Sequence, residues 1–237
     1  MYRYETHCHT SPVSACGKAS SEETVSFYKQ LGYDGVFITN HFLDGNICHE
    51  IKDRPYEEQV RFYFSDYEKG AEYGRRVGMK VFSGVELSYK GTDFLIYGLD
   101  KEWYLTHPEI MGMKKSEELS FLMEAGAFVV QAHPYREEYY IDHVRLFPRS
   151  VHAAEIINSS QKEYMNEMAA IYAERYGLYV TAGSDNHWAG GIFKILRERG
   201  LPPVIAGMES EIPLENEKDY MPLLFAGKIK PFTLKED

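Results

Sequence analysis

Cysteine is scarce in this chain of 237 residues: it has three, scattered at positions 8, 16 and 48. An odd and scattered set argues against a disulfide framework and agrees with a reducing compartment. The first residues also lack the apolar core of a signal peptide, so we expect a cytoplasmic location. No apolar run approaches the roughly 18 residues that a membrane span requires, so no membrane partner is expected.

The sequence also lacks an excess of positive charge, because 26 Lys and Arg stand against 36 Asp and Glu, a formal net charge of −10. No block of five basic residues appears, which argues against a general coat for nucleic acid. Apolar residues make up 44% and charged residues 26% of the chain, which is ordinary for a globular protein and excludes extended disorder.

Short apolar strands alternate with amphipathic helices along almost the whole chain. The capping box Ser20–Glu23 begins one helix, a second is predicted over Tyr56–Val77, and a final helix is expected around Tyr220–Gly227. No linker or repeat interrupts the alternation, so the sequence predicts one α/β domain over residues 1–237 with a mainly parallel sheet. About seven or eight strands in this length favour a barrel over an open sheet.

Potential metal ligands follow the predicted strands. They are His7, His9, His41, Glu86, His133, Asp185 and His187. The carboxyl ends of parallel strands converge on one face, so we expect these side chains to meet there. His7 and His9 point the same way in an extended chain, which is the arrangement in which two imidazoles bind one metal. Histidines and carboxylates without a cysteine cluster suit Zn²⁺, Mn²⁺ or Fe.

The other residues at strand ends and the other histidines are weaker candidates for a functional site. Glu155 and Asn158 end a further strand, and Asn158 is expected either to touch the substrate or to form a structural turn. Cys8, between His7 and His9, is expected to face into packing. The remaining histidines lack a ligand context; they are His49, His107, His143 and His152.

Taken in order, these segments resemble the motifs of the PHP (polymerase and histidinol phosphatase) family. The segments are His7-Cys8-His9-Thr10-Ser11, Ile38-Thr39-Asn40-His41, Gly84-Val85-Glu86, Ala132-His133-Pro134 and Gly183-Ser184-Asp185-Asn186-His187, within residues 1–210. The resemblance implies a single-domain distorted (β/α)7 TIM-like barrel. It also implies two or three divalent ions at the carboxyl ends of the strands, and hydrolysis of phosphoesters.

The resemblance further implies a set of ligands for each ion. A first ion would be held by His7, His9, Glu86 and Asp185. Glu86 would bridge to a second ion, held also by His133. Asp93 stands where the family usually has a histidine, and a carboxylate there would shift metal preference toward Mn²⁺ or Fe.

A third ion would use His41 and His187 together with a residue after the first motif. Three-metal members of the family often have a histidine at the position that is Ala15 here. The neighbours Ser14 and Cys16 are not dependable substitutes, so His41 and His187 would bind an ion weakly, or one of them would act as a general acid. Asn40, where Asp is commoner, is expected to orient a neighbour.

The implied reaction is the attack of a metal-activated hydroxide on the phosphorus of a small phosphorylated substrate. Arg136 is predicted to bind the phosphate with two donors, and Lys18 is a second candidate. His187 or His41 would protonate the leaving group. A phosphatase is preferred to a nuclease, although a short oligonucleotide substrate stays open.

Two other classes of function also fit the sequence. An amidohydrolase-like enzyme acting on a C–N or lactone bond would use the same His-x-His pair. Such sites commonly bridge two metals with a modified lysine, and here Glu86 occupies the bridging place while no strand-end lysine is evident. A non-catalytic regulator that binds metal or phosphate is the third class, kept open by Ala15.

Overall fold

The computed structural model describes residues 1–236, and nine strands in this range form one sheet. The strands are β1 (Tyr2–Cys8), β2 (Gly35–Ile38), β3 (Lys80–Tyr89), β4 (Thr92–Tyr97), β5 (Phe128–Ala132), β6 (Ala153–Asn158), β7 (Tyr179–Gly183), β8 (Val204–Ser210) and β9 (Ile229–Lys235). Their order across the sheet is β7-β6-β5-β4-β3-β2-β1-β8-β9.

The sheet curls into a nearly closed barrel because the segment after β7 returns to the end of β1. The Asp185 N–H donates to the carbonyl of His7 over 2.8 Å, and the His9 N–H donates to the carbonyl of Asn186 over 2.9 Å. These bonds close a ring of β1 to β7, with β8 and β9 extending the sheet beyond β1. The predicted distorted TIM-like barrel is confirmed.

The expectation of a mainly parallel sheet is wrong, because four of the eight strand pairings are antiparallel. The physical reason for β4 is the two-residue turn Lys90–Gly91, which joins it to β3 with φ of 51° and 82°. A turn with two positive φ values forms a tight hairpin, and two residues cannot hold the crossover that a parallel pair requires. Since β4 is antiparallel to both β3 and β5, those two strands still run in the same direction.

Seven α-helices lie in the described residues. They are α1 (Ser21–Gln30), α2 (Tyr56–Val77), α3 (Lys101–Thr106), α4 (Lys115–Glu124), α5 (Glu163–Tyr176), α6 (Ile192–Glu198) and α7 (Tyr220–Phe225). The Ser20–Glu23 capping box is present, and α2 has the predicted bounds. The predicted tail helix ends early at Phe225, and β9 follows it. None of the helices in the described residues is long and apolar enough to span a membrane.

Aromatic side chains fill one end of the barrel. Tyr220 of α7 is fully buried, and its ring lies 5.1–5.5 Å from the rings of Phe37, Tyr97 and Phe128. Phe128 begins β5 and Tyr97 ends the antiparallel β4, so this cluster lies at the amino-terminal end of the parallel strands. The interior is therefore a packed core at that end, and the opposite end is left for polar side chains.

Candidate metal centre

Five of the predicted ligands converge at the polar end of the barrel and are buried there. His7 Nε2 lies 3.1 Å from Glu86 Oε1, and His9 Nε2 lies 3.3 Å from Asp185 Oδ1. His133 Nε2 lies 3.5 Å from Glu86 Oε1. Two groups could each hold an ion with ligand atoms within 4.8 Å of one another: His7, His9 and Asp185, and His7, Glu86 and His133.

The backbone is strained at two of these positions. His133 has φ of 26° and Asp185 has φ of 55°, values that non-glycine residues rarely adopt. Such a conformation costs on the order of 1–3 kcal/mol and persists where the surrounding structure fixes it, commonly at functional sites. At both positions it turns the chain sharply where a strand ends and a ligand-type side chain enters the centre.

Asp93 joins the centre because β4 runs antiparallel. It lies near the start of β4, next to the ends of β3 and β5, and its Oδ2 lies 3.9 Å from His133 Nε2. The same oxygen accepts a hydrogen bond from Arg136 Nη1 over 3.1 Å. Burial, followed by the charge of Glu86, raises the pKa of Asp93 above its ordinary value despite the nearby cations.

The donor set fits divalent metal. Burial alone would raise the pKa of Glu86 and Asp185, but the surrounding histidines outweigh it and hold both pKa values well below the usual range. Burial, with His187 and His41 nearby, lowers the pKa of His9 to about 3, so its imidazole is neutral at pH 7. His133 Nε2 is buried and has no hydrogen-bond partner among the described residues. Ionised carboxylates beside the neutral imidazole of His9 and the unpartnered Nε2 of His133 suit Zn²⁺, Mn²⁺ or Fe.

His41 and His187 lie on the open side of this centre. Their rings lie 4.4 Å and 4.3 Å from the ring of His9, and His41 Nδ1 lies 2.7 Å from Glu86 Oε2. Cys16 joins them in a third group of possible ligands with His9. Burial would raise the pKa of the Cys16 thiol, but hydrogen bonds with His187 and His41 outweigh it and lower the pKa to about 6.

Glu155 supports the centre from behind, a role that sequence reasoning missed. Its Oε1 faces His7 Nδ1 at 2.9 Å, and its Oε2 accepts hydrogen bonds from the His133 N–H over 3.1 Å and from Asn158 Nδ2 over 2.8 Å. A carboxylate behind a ligating histidine fixes the tautomer and leaves the other ring nitrogen for the metal. The position of Glu155 at a strand end was the available signal in the sequence. Asn158 has the structural role, since it donates to Glu155 and accepts a hydrogen bond from the Ser160 N–H.

Asn40 and Ser14 orient His9 in a similar way. Ser14 Oγ lies 3.1 Å from His9 Nδ1 and donates to Asn40 Oδ1 over 2.8 Å. Asn40 Oδ1 also accepts from the Thr10 N–H over 2.7 Å. Asn40 therefore positions the loop that follows β1, which agrees with the expectation that it orients a neighbour.

A cleft of about 620 Å³ opens above the centre. Its lining includes Cys16, His41, His187 and the carboxylates of Glu86, Asp93 and Asp185. Four cationic side chains, Lys52, Lys90, Arg136 and Arg199, also line it. The cleft therefore combines possible ligands with positive charge, although the chain as a whole is acidic.

The structure separates the two predicted phosphate-binding residues. Arg136 lines the cleft, bonded to Asp93 and to Tyr140 Oη. Lys18 lines a different surface depression, with Glu22, Glu23 and Trp188. Its main-chain N–H donates to the carbonyl of His187 over 2.7 Å, so Lys18 supports the site through its backbone. The geometry gives no support to substrate binding by the Lys18 side chain.

No family model and no curated protein matches the sequence. Solved structures share the fold. A two-domain protein from Bacteroides vulgatus, containing a predicted PHP-like metal-dependent phosphoesterase, aligns with a TM-score of 0.65 at 15% identity over 98% of this chain. The chain spans 64% of the length of that protein.

Two further structures each align with most of this chain and with most of their own length. A candidate metal-dependent phosphoesterase from Bifidobacterium adolescentis has a TM-score of 0.53 at 14% identity, covering 79% of this chain and 88% of its own. An amidohydrolase from Chromobacterium violaceum, with bound sulfate and no metal, has a TM-score of 0.52 at 16% identity and the same two coverages. The chain therefore shares the fold of these structures, one of which contains a predicted PHP-like metal-dependent phosphoesterase, and this agrees with the resemblance of its motifs.

Proposed function

We propose that this chain is a metal-dependent phosphoesterase that hydrolyses a small phosphorylated substrate with two or three divalent ions. The observation that carries the proposal is the convergence of His7, His9, Glu86, His133 and Asp185 beneath a cleft with cationic side chains. Zn²⁺, Mn²⁺ and Fe all suit this donor set. Bound ions would lower the pKa of a bound water and offset the charge of a phosphate.

The residues around the ions have separate roles in this proposal. Glu86 faces histidines of both ligand groups, since its Oε1 lies 3.5 Å from His133 Nε2 and its Oε2 lies 3.4 Å from His9 Nε2, so it would be the carboxylate shared by two ions. Asp93 is the further carboxylate beside His133. Arg136 binds phosphate oxygens from the cleft wall, with its guanidinium held in place by Asp93.

His41 and His187 also line the cleft, beside the proposed ligands. Either of them would protonate the leaving oxygen, since imidazole titrates in the right range. That role excludes simultaneous metal binding by the same nitrogen. The choice between general acid and third-ion ligand depends on Cys16.

The cleft volume supports a small substrate. About 620 Å³ lies within the range of roughly 300–1,000 Å³ that small-molecule sites occupy. The cleft also has the cations to hold a phosphate and a second anionic group, or the end of a short oligonucleotide: Lys52, Lys90, Arg136 and Arg199.

We place this activity in the cytoplasm.

The test is phosphate release by the full chain loaded with Mn²⁺, Fe²⁺ or Zn²⁺. The panel contains phosphomonoesters, mononucleotides and short oligonucleotides, and we expect turnover of the monoesters. Asp185→Asn should abolish the activity. His143→Ala is the matched control, since His143 is exposed and lies outside the centre. Absence of phosphate release with every metal and substrate would contradict the proposal.

An amidohydrolase-like activity on a C–N or lactone bond is the second candidate, supported by the fold shared with the Chromobacterium violaceum protein. Glu86 in the bridging position weighs against it. Such sites commonly use a modified lysine, but Lys115, which is buried on α4, pairs with Asp44 at 2.9 Å and lies outside the centre. Turnover of amides or lactones but not phosphoesters would favour the amidohydrolase-like activity. Binding of metal and phosphate without turnover of any substrate would indicate a regulator.

A further inference from the structure

Cys16 occupies a position that no other cysteine of the chain shares. Its sulfur and the ligand atoms of His9, His41 and His187 lie within 4.8 Å of one another. Cys8 is buried in the core, where its thiol donates a hydrogen bond to the carbonyl of Phe37. Cys48 lies in the long loop after β2. Only Cys16 among the three joins a cluster of imidazoles.

The four members of this cluster are not equally free to bind an ion. His9 Nδ1 faces Ser14 Oγ at 3.1 Å, and His9 Nε2 faces His7 and Asp185 in the neighbouring ligand group. His187 Nδ1 donates to the carbonyl of Asp185 over 2.9 Å, which leaves the lone pair of its Nε2 available. With His9 assigned to the neighbouring group, one thiol and two imidazoles remain.

Main-chain bonds on both sides hold Cys16 in place. The Ala15 N–H donates to the carbonyl of Asn46 over 2.9 Å, and the Lys18 N–H donates to the carbonyl of His187 over 2.7 Å. Gly17 packs so closely on Thr10 that a Cβ there would lie 2.6 Å from the Thr10 carbonyl carbon. The loop is therefore tied to both neighbouring loops, and it presents the residue after Ala15 to the two histidines.

We propose that Cys16, His41 and His187 hold a third divalent ion through one thiolate and two imidazoles. In a tetrahedral zinc site the ligand atoms lie roughly 3.3–3.8 Å apart, which small side-chain rotations would reach from the observed spacing. Thiolate is a soft ligand, so this site would prefer Zn²⁺ or Co²⁺, whereas the carboxylate-rich groups beside it also suit Mn²⁺.

The site would also leave a coordination position open. All three residues line the cleft, so a fourth ligand would come from the cleft side. Three protein ligands with one open position are typical of catalytic rather than structural zinc. His41 and His187 would then be ligands, and neither would serve as the general acid. This inference rests on the proposed metal centre but not on the reaction proposed for it.

Cobalt(II) is the probe for the thiolate. The metal-free full chain is titrated with Co²⁺, and near-ultraviolet absorption from thiolate-to-cobalt charge transfer is recorded with the number of bound ions per chain. We expect Cys16→Ser to lose the absorption and one ion per chain. Cys48→Ser, the matched control, should retain both. Cys16→His should restore the ion without the absorption.

Each result separates the inference from the proposed function. Unchanged absorption and ion count in folded Cys16→Ser would overturn the third site, even if phosphoesters are hydrolysed. The cobalt–thiolate absorption, lost in Cys16→Ser, would support the site even if no phosphoester is a substrate. Circular dichroism of each variant establishes that it is folded.

Discussion

Glu155→Gln is expected to weaken metal binding while leaving the barrel folded. Glu155 is 1% exposed, and its oxygens accept hydrogen bonds from His7, His133 and Asn158 at 2.8–3.1 Å. Glutamine has nearly the same shape but one acceptor oxygen and an NH₂ group. In either orientation of the amide, the NH₂ group faces a hydrogen-bond donor.

The size of the effect follows from the bond that is lost. A hydrogen bond to a charged group contributes about 1.5–3 kcal/mol, and 1.4 kcal/mol corresponds to about a tenfold change in an equilibrium constant. Losing the proper partner of His7 should therefore weaken binding of the ion at His7 by about 10–100-fold, the range usual for such supporting carboxylates.

Competition with a chromophoric chelator measures this change as a ratio of dissociation constants for Zn²⁺ or Mn²⁺. Glu174→Gln is the control, since it removes one charge from an exposed position on α5 and should leave the constant unchanged. A Glu155→Gln protein that is folded and binds metal within about twofold of the parent would refute the reasoning.

Three further predictions concern packing, capping and metal. Gly183→Ala would place a Cβ 2.5 Å from the Cβ of His7 and 2.7 Å from Glu155 Oε1, so it should weaken metal binding and lower the free energy of unfolding by about 1–3 kcal/mol. Gly112→Ala, with no atom within 4 Å, is its control in denaturant titrations. Ser20→Ala removes the α1 cap and should cost about 1 kcal/mol of stability, with chelator competition showing unchanged metal affinity. Removal of metal with a chelator should lower the melting temperature. An ion present at 100 times its dissociation constant stabilises the folded state by about 2.7 kcal/mol. Equal melting curves before and after removal would contradict a metal centre.

The convergence of the ligands could be predicted because the strands that precede them run in the same direction, although the sheet is not all parallel. β4 is antiparallel to both of its neighbours, so β3 and β5 are parallel to each other, and the ends of β1, β3, β5 and β7 share one edge of the barrel. Sequence reasoning placed His7, Glu86, His133 and Asp185 at those ends without knowledge of the hairpin. The hairpin itself depends on Lys90–Gly91, whose turn chemistry is weaker than that of Asn-Gly.

The pairing of a supporting carboxylate with its histidine and the elements with weak local patterns could not be predicted. Glu155 and His7 are 148 positions apart and meet only because the barrel closes. β9 contains Pro231, which removes a hydrogen-bond donor and is tolerated at the edge of a sheet, so its sequence gives little strand signal. The short helix α3 has six residues, too few for a clear helical period.

Asp93 links the cleft to the candidate metal centre. One carboxylate oxygen, Oδ2, accepts the hydrogen bond of Arg136 Nη1, and the carboxylate has a second oxygen with its own lone pairs. An imidazole at this position has one nitrogen on each side of the ring, so it could not offer two acceptors toward the same side. With aspartate, the group beside His133 can contact an ion while it also holds the guanidinium that faces the cleft. Arg136→Lys would keep the charge but lose the planar fork, so its effect should fall on substrate binding (a raised KM) more than on metal affinity, whereas Asp93→Asn should change both.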